Sequence, residues 1–405
     1  MHVSSTSSLL LSILSLANLV TGHPGCRPSH RPVKTAKAIY FLTNEDVNGV
    51  VALPVKRDGS LASGIVTETG GAGATSLDAN NQPAVPDPLV GQSALTVAGK
   101  YLFAVNAGSN TLSMLSISRS DPTKLRRVGE PVALPGEFPN TVAASSKNNL
   151  VCVGTTGALA GISCSSFGRN GLGPMDQLRP FDLGQTTPPV GPTNTVSHAF
   201  FSDDQTILFT NVKGDPATNK TGFLSAFAVQ GSGTGASLST NEVRSTLDGT
   251  AVLFGAQAIP GTSNIFATDA AFGGAVISVN PVSLEGSTVA AVAVEEQVAT
   301  CWAAISPVTG TAFVADIGAP RLVEMSLADA SIISEVAVPD LQNPGLTDLR
   351  AGGSFIYALS PGNGTSSPVV AVVSVAGGSG AGEVVELFDI SDVAGPRAQG
   401  MAVFE

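Results

Sequence analysis

His198 is the one histidine after His30, so any imidazole acid–base chemistry in the body of this chain falls to a single side chain. It reads in two ways: as a catalytic group, or as a packed strand histidine making one hydrogen bond. Asp269 and Asp316 offer carboxylates to the same chemistry. Trp302, the only tryptophan, and Gln257 are candidates to line a small-molecule pocket beside them. A second reading of Trp302 is packing against a neighbouring disulfide. Asn44, Asn106, Asn211, Asp269 and Asp316 each close a short apolar run. As a ring of oxygen donors they are Ca²⁺ candidates; as turn openers they need no metal. The chain has no Cys/His zinc spacing, no Gly-rich loop set between a strand and a helix, and no GxSxG elbow, so no other cofactor is expected.

Side chains so far apart in sequence need a repeating scaffold to meet. The stretch Lys100 to Ser118, KYLFAVNAGSNTLSMLSIS, shows the unit: a pleated run through Tyr101, Phe103 and Val105, a turn over Asn106 to Asn110, and a returning apolar run. The pattern recurs seven times. Its large anchors are Phe41, Phe103, Cys152, Leu208, Phe266, Phe313 and Tyr357, and a polar residue stands three positions after each. A segment of small residues precedes most anchors, as in Ser93-Ala-Leu-Thr-Val-Ala and Trp302-Ala-Ala-Ile-Ser. Such segments suit an innermost strand crowded around a channel.

Units roughly 45–60 residues apart are the signature of propeller blades. The expected fold is all-β: a seven-bladed β-propeller whose first blade lacks its inner strand. The C-terminal segment Ala398 to Phe404 supplies that strand and closes the ring, removing an open edge.

Residues 1–22 read as a signal peptide, with an apolar core from Leu9 to Val20 too short to span a membrane. Residues 23–37 form a polar arm, and 38–405 the propeller. The expected location is therefore outside the cell or in its wall, as a monomer without a membrane span. The net charge of −11 argues against nucleic-acid binding. Cys152 and Cys164 lie on consecutive expected strands, which favours a disulfide between them and leaves Cys26 for Cys301. That second bridge would draw the arm across the channel mouth. Asn219 and Asn363 head N-glycosylation sequons in expected turns.

The repeated hairpin YLFAVNAGSNTLSMLSI resembles the lactonase family of seven-bladed propellers, which includes carboxymuconate cyclase and bacterial-type 6-phosphogluconolactonase. The acidic, Cys-containing chain, with AIYFLTNEDVNGVVALPV at the start of its ring, is similar to fungal cyclase-like glycoproteins known as secreted or cell-wall antigens. The resemblance implies a blade-four Arg and Glu, yet the matching positions here hold Ser197 and Val212, beside a retained His198. An anionic substrate needs cations and a proton donor or base, which Val212 cannot supply. Two readings follow. The first is an extracellular binding, adhesion or antigen propeller with a protein or matrix partner. The second is a lactonase or cyclase acting on a small lactone or carboxylate through a rebuilt site.

Overall fold

The computed structural model describes residues 1–2, 35–339, 341 and 345–405. The expected signal segment beyond His2, most of the expected arm, and Cys26 lie outside the described residues. Among the described residues the chain forms seven antiparallel sheets, each with four strands or with a short fifth. Blades two to seven start with Leu95–Ala98, Pro139–Ser145, Val196–Phe201, Leu253–Ala258, Thr300–Ser306 and Leu349–Gly352. Each of these strands touches the first strand of the next blade, so together they line the axis. Gln399–Phe404 pairs antiparallel with Ala38–Leu42 and sits between Leu349–Gly352 and Leu95–Ala98. The ring is thus closed by the C-terminal strand acting as the inner strand of blade one. No helix among the described residues is long and apolar enough to cross a membrane.

Apolar packing between neighbouring blades explains the recurrence of the anchors. Phe41, Phe103, Phe266, Phe313 and Tyr357 are wholly buried. One cluster joins Phe41 and Ile39 of blade one to Tyr357 and Val372 of blade seven; another joins Phe266 of blade five to Val314 and Val323 of blade six. A buried aromatic of this kind removes well over 100 Å² from water, so each interface resembles a sheet-on-sheet core. Outer strands carry the opposite pattern. Gly286–Ala293 alternates half-buried and exposed side chains, as expected of a strand with one face in solvent.

Cys152 and Cys164 face each other in register across the second and third strands of blade three and form a disulfide. Cys301 is a buried thiol with no disulfide partner among the described residues.

The channel is filled by the chain itself. The long connection between Glu68 and Leu95 descends to the axis, where Leu89, Val90 and Gln92 are buried. This irregular backbone has no sheet to satisfy it, so side chains from the surrounding blades do so. The Leu89 carbonyl accepts from Asn140 Nδ2 at 3.1 Å, Val90 from Lys213 Nζ at 2.6 Å, and Gly91 from Gln399 Nε2 at 3.0 Å and Trp302 Nε1 at 3.3 Å. Gln92 donates from its main chain to Ser197 O at 2.8 Å and from Nε2 to Ala303 O at 3.0 Å. Position 91 must be glycine, because a Cβ there would lie 2.8 Å from both Asn140 Nδ2 and Ser197 O. Val90 and Ser93 are held at φ 47° and 64°, a region non-glycine residues seldom adopt.

Candidate functional site

The plug separates two cavities that open toward opposite ends of the ring. The lower one, about 320 Å³, is lined by residues at the ends of inner strands and the turns after them, including Thr96, Ala144, Phe201, Asp203 and Gln257. His198 and Ser93 line it as well. The upper one, about 270 Å³, is lined by the connection that forms the plug, including Val85, Asp87 and Val90, and by residues at the opposite ends of the inner strands, such as Phe254 and Cys301.

His198 sits on the inner strand of blade four. Its Nδ1 accepts the Ala256 N–H at 3.1 Å, and its Nε2 lies 2.8 Å from Ser93 Oγ. A backbone amide can only donate, so Nδ1 carries the lone pair and the neutral ring keeps its proton on Nε2. His198 therefore donates to Ser93. It cannot take the serine proton, which rules out a serine–histidine nucleophile in this arrangement. Arg350 Nη2 also donates to Ser93 Oγ, at 2.6 Å, while its Nη1 is 2.7 Å from the buried Asp348. Burial and the nearby Arg350 charge hold His198 well below the usual histidine value of 6.5. Ser93 ends the plug while His198 and Arg350 come from blades four and seven, so the network braces the plug across the axis.

The upper cavity is mostly apolar. Val85, Val252, Phe254, Ala270 and Ile317 line it, with four titratable groups: Asp78, Asp87, Lys213 and Cys301. Lys213 is fully buried, donates to Val90 O, and holds its Nζ 4.3 Å from the centre of the Phe254 ring. Burial pulls it down to about 8, although the charges of Asp87 and Cys301 oppose the shift. Burial raises Asp87 to about 6 against the pull of Lys213. The Asp87 Oδ1 is out of solvent without a hydrogen-bond partner, and so is Gln399 Oε1. The Cys301 thiol is held well above its ordinary value by burial. A cation and an acid drawn toward neutrality from both sides, in an apolar cleft, are the ingredients of acid–base chemistry.

The structure separates the other residues singled out from the sequence. Gln257 joins His198 on the lower cavity and accepts the Ile305 N–H at 2.7 Å. Asp269 and Asp316 line neither cavity. Asp269 accepts from Ala251, Val252 and Ala271, and Asp316 from Val298, Ala299 and Gly318; each carboxylate closes the loop entering its own blade's inner strand. Asn44 pairs with Ala74, Asn106 with Asn48, Thr69, Thr111 and Ser113, and Asn211 with Phe254 O. Four of the five therefore tie loops to blades, and Asn211 ties blade four to blade five. No three His, Cys, Asp or Glu side chains converge as metal ligands among the described residues. Trp302 is a correction: a pocket was expected, but the indole is wholly buried, 5.1 Å from Phe254, with its N–H on the plug. The reading of Trp302 as packing against a Cys26–Cys301 disulfide falls on Cys26, which lies outside the described residues. Ser197 donates to the Asn211 and Leu253 carbonyls, and Val212 is buried in the blade-three to blade-four core. Asn219 and Asn363 are exposed.

No family model matches the chain, and no curated protein matches its sequence. Solved structures do match its shape. A periplasmic gluconolactonase from Pseudomonas aeruginosa superposes with a TM-score of 0.63 at 13% identity, covering 91% of this chain and 99% of that one. The chain is a seven-bladed β-propeller. A putative 6-phosphogluconolactonase from Bacteroides fragilis gives 0.60 at 11% identity over 91% and 98% of the two chains. A hypothetical selenium-binding protein from Sulfolobus tokodaii gives 0.60 at 9% identity over 91% and 94%. At such identities the likeness establishes the propeller fold.

Four site residues escaped the sequence reading: Asp87, Ser93, Lys213 and Arg350. Two carried a signal. Arg350 is a lone charge inside a short run that must be an inner strand. Lys213 extends the strand Ile207–Val212 by one residue, at the end where the ring residues lie.

Proposed function

We propose that this propeller takes a small molecule of lactone or related carbonyl type into its upper cavity and acts on it with Lys213 and Asp87. The observation that carries the reading is the convergence of a buried ammonium and a carboxyl on one apolar cleft, at the propeller end where the second strands finish. The Lys213 ammonium donates to the carbonyl oxygen and stabilises charge developing there. The Asp87 carboxylate takes a proton from the attacking water and returns it to the departing ring oxygen, giving a hydroxy acid. The likeness in fold to a gluconolactonase and to a putative 6-phosphogluconolactonase supports the scaffold. Ser197 and Val212 had argued for a scaffold without chemistry. Lys213, one residue beyond Val212, restores a cation, and we therefore favour small-molecule chemistry over an adhesion or antigen role.

The Cys152–Cys164 disulfide and the exposed Asn219 and Asn363 support a secretory, glycosylated protein. A mass shift on deglycosylation of protein from a secreting host is the expected result, and an unshifted mass would contradict it. The catalytic reading is tested by hydrolysis of a panel of compact γ- and δ-lactones. Lys213→Met should reduce kcat/KM at least about a hundredfold, as loss of an oxyanion donor does. Turnover equal to wild type in Lys213→Met would overturn the reading.

A further inference from the structure

We propose that Lys213 condenses with small aldehydes and ketones to form a Schiff base in the upper cavity. This rests on the reading of that cavity as a ligand site and names a second substrate class for it. Four features carry it. The amine is buried on the wall of a cavity of about 270 Å³. Its surroundings are apolar, so water does not solvate the ammonium or swamp the condensation. Phe254 presents its ring face at 4.3 Å, where an iminium cation would rest as the ammonium does now. Asp87 lines the same cavity with an oxygen that has no hydrogen-bond partner.

The steps balance with these groups alone. The lone pair of neutral Nζ forms a bond to the carbonyl carbon, and the carbonyl oxygen takes the proton of the Asp87 carboxyl. The nitrogen then returns one proton to the Asp87 carboxylate, leaving a neutral carbinolamine. Asp87 protonates the hydroxyl, which departs as water while the nitrogen lone pair closes the C=N bond. The products are an iminium on Lys213, a carboxylate on Asp87 and one water. Burial favours the first step, because it lowers Lys213 to about 8 and so enlarges the neutral fraction at pH 7. Relative to a solvated lysine the gain is roughly two hundredfold. Asp87 and Cys301 are the titratable groups whose charges act on this amine.

The test uses the whole folded protein with benzaldehyde and cyanoborohydride at pH 7, followed by peptide mass mapping. A benzylamine adduct should appear on Lys213 before the exposed Lys56 and Lys124, and Asp87→Asn should slow it roughly tenfold. Adducts on Lys56 and Lys124 with Lys213 unmodified would overturn the proposal. Because the map is read on the unsubstituted protein, a folding defect in the variant does not affect it. Trp302, packed on Phe254, separates this failure from failure of the cavity reading. Quenching of Trp302 by benzaldehyde without a Lys213 adduct would sink the covalent step alone. No quenching and no adduct would sink both.

Discussion

Lys213 Nζ donates to the Val90 carbonyl at 2.6 Å, joining the end of blade four to the segment that fills the channel. One contact does two things. It satisfies a carbonyl on backbone held at φ 47°, and it fixes the amine on the cavity wall over Phe254. Stability and chemistry therefore meet at the same nitrogen.

The first prediction is alkaline. Lys213 is at about 8 in the fold and near 10.4 when unfolded, so between these values the unfolded chain binds the extra proton. Stability attributable to Lys213 rises as pH increases from 8 to 9.5, on the order of 1 kcal/mol per unit. Urea midpoints across that range should climb more steeply in wild type than in Lys213→Met. Parallel curves would show that the amine is solvated.

The second is acidic. The fold holds His198 neutral, well below its ordinary 6.5, with Nδ1 accepting the Ala256 N–H. Below about pH 6.5 the unfolded chain takes up a proton that the folded one refuses, so stability contributed by His198 is lost as pH falls. In His198→Gln the midpoint should change less between pH 6.5 and 5. An unchanged slope would contradict the assigned protonation.

The third concerns blade three. Cys152 and Cys164 are 12 residues apart, and closing so short a loop is worth about 3 kcal/mol of chain entropy. Replacing both with alanine should lower the urea midpoint accordingly and abolish its sensitivity to reductant. A reductant-sensitive midpoint in the double variant would point to another bridge.

The ring was legible in the sequence because its information is local. A large anchor such as Phe103, a polar residue three positions on and a small-residue strand before it recur whatever lies elsewhere in the chain. Closure by Ala398 to Phe404 followed from the inner strand missing at the start of blade one. The Cys152–Cys164 bridge followed from two adjacent strands. The site was less legible because its contacts are long-range and its backbone is irregular. Asp87 to Ser93 carries one proline and one glycine and shows no strand alternation, as a surface loop would; only the pair Leu89-Val90 hints at burial. Lys213 follows Asn211-Val212, which reads as a turn. Trp302 and Asp316 have the chemistry of a site, but their neighbours use them to hold the plug and a strand entry.

A fourth prediction tests closure. Removing Gln399 to Glu405 takes away the inner strand of blade one and exposes the full edge of Ala38–Leu42. The truncated chain should aggregate during size-exclusion chromatography. Adding a peptide of the deleted sequence should restore a monodisperse peak. A truncated chain as soluble and stable as wild type would show that the strand is dispensable.

The most direct measurement for the central claim is the pH dependence of kcat/KM on the best lactone of the panel. Asp87 at about 6 and Lys213 at about 8 predict a bell with limbs at those values. The acid limb should vanish in Asp87→Asn and the alkaline limb in Lys213→Met, while His198→Gln keeps both. A profile without these limbs, or one abolished by His198→Gln and untouched by Lys213→Met, would contradict the account and move the chemistry to the lower cavity.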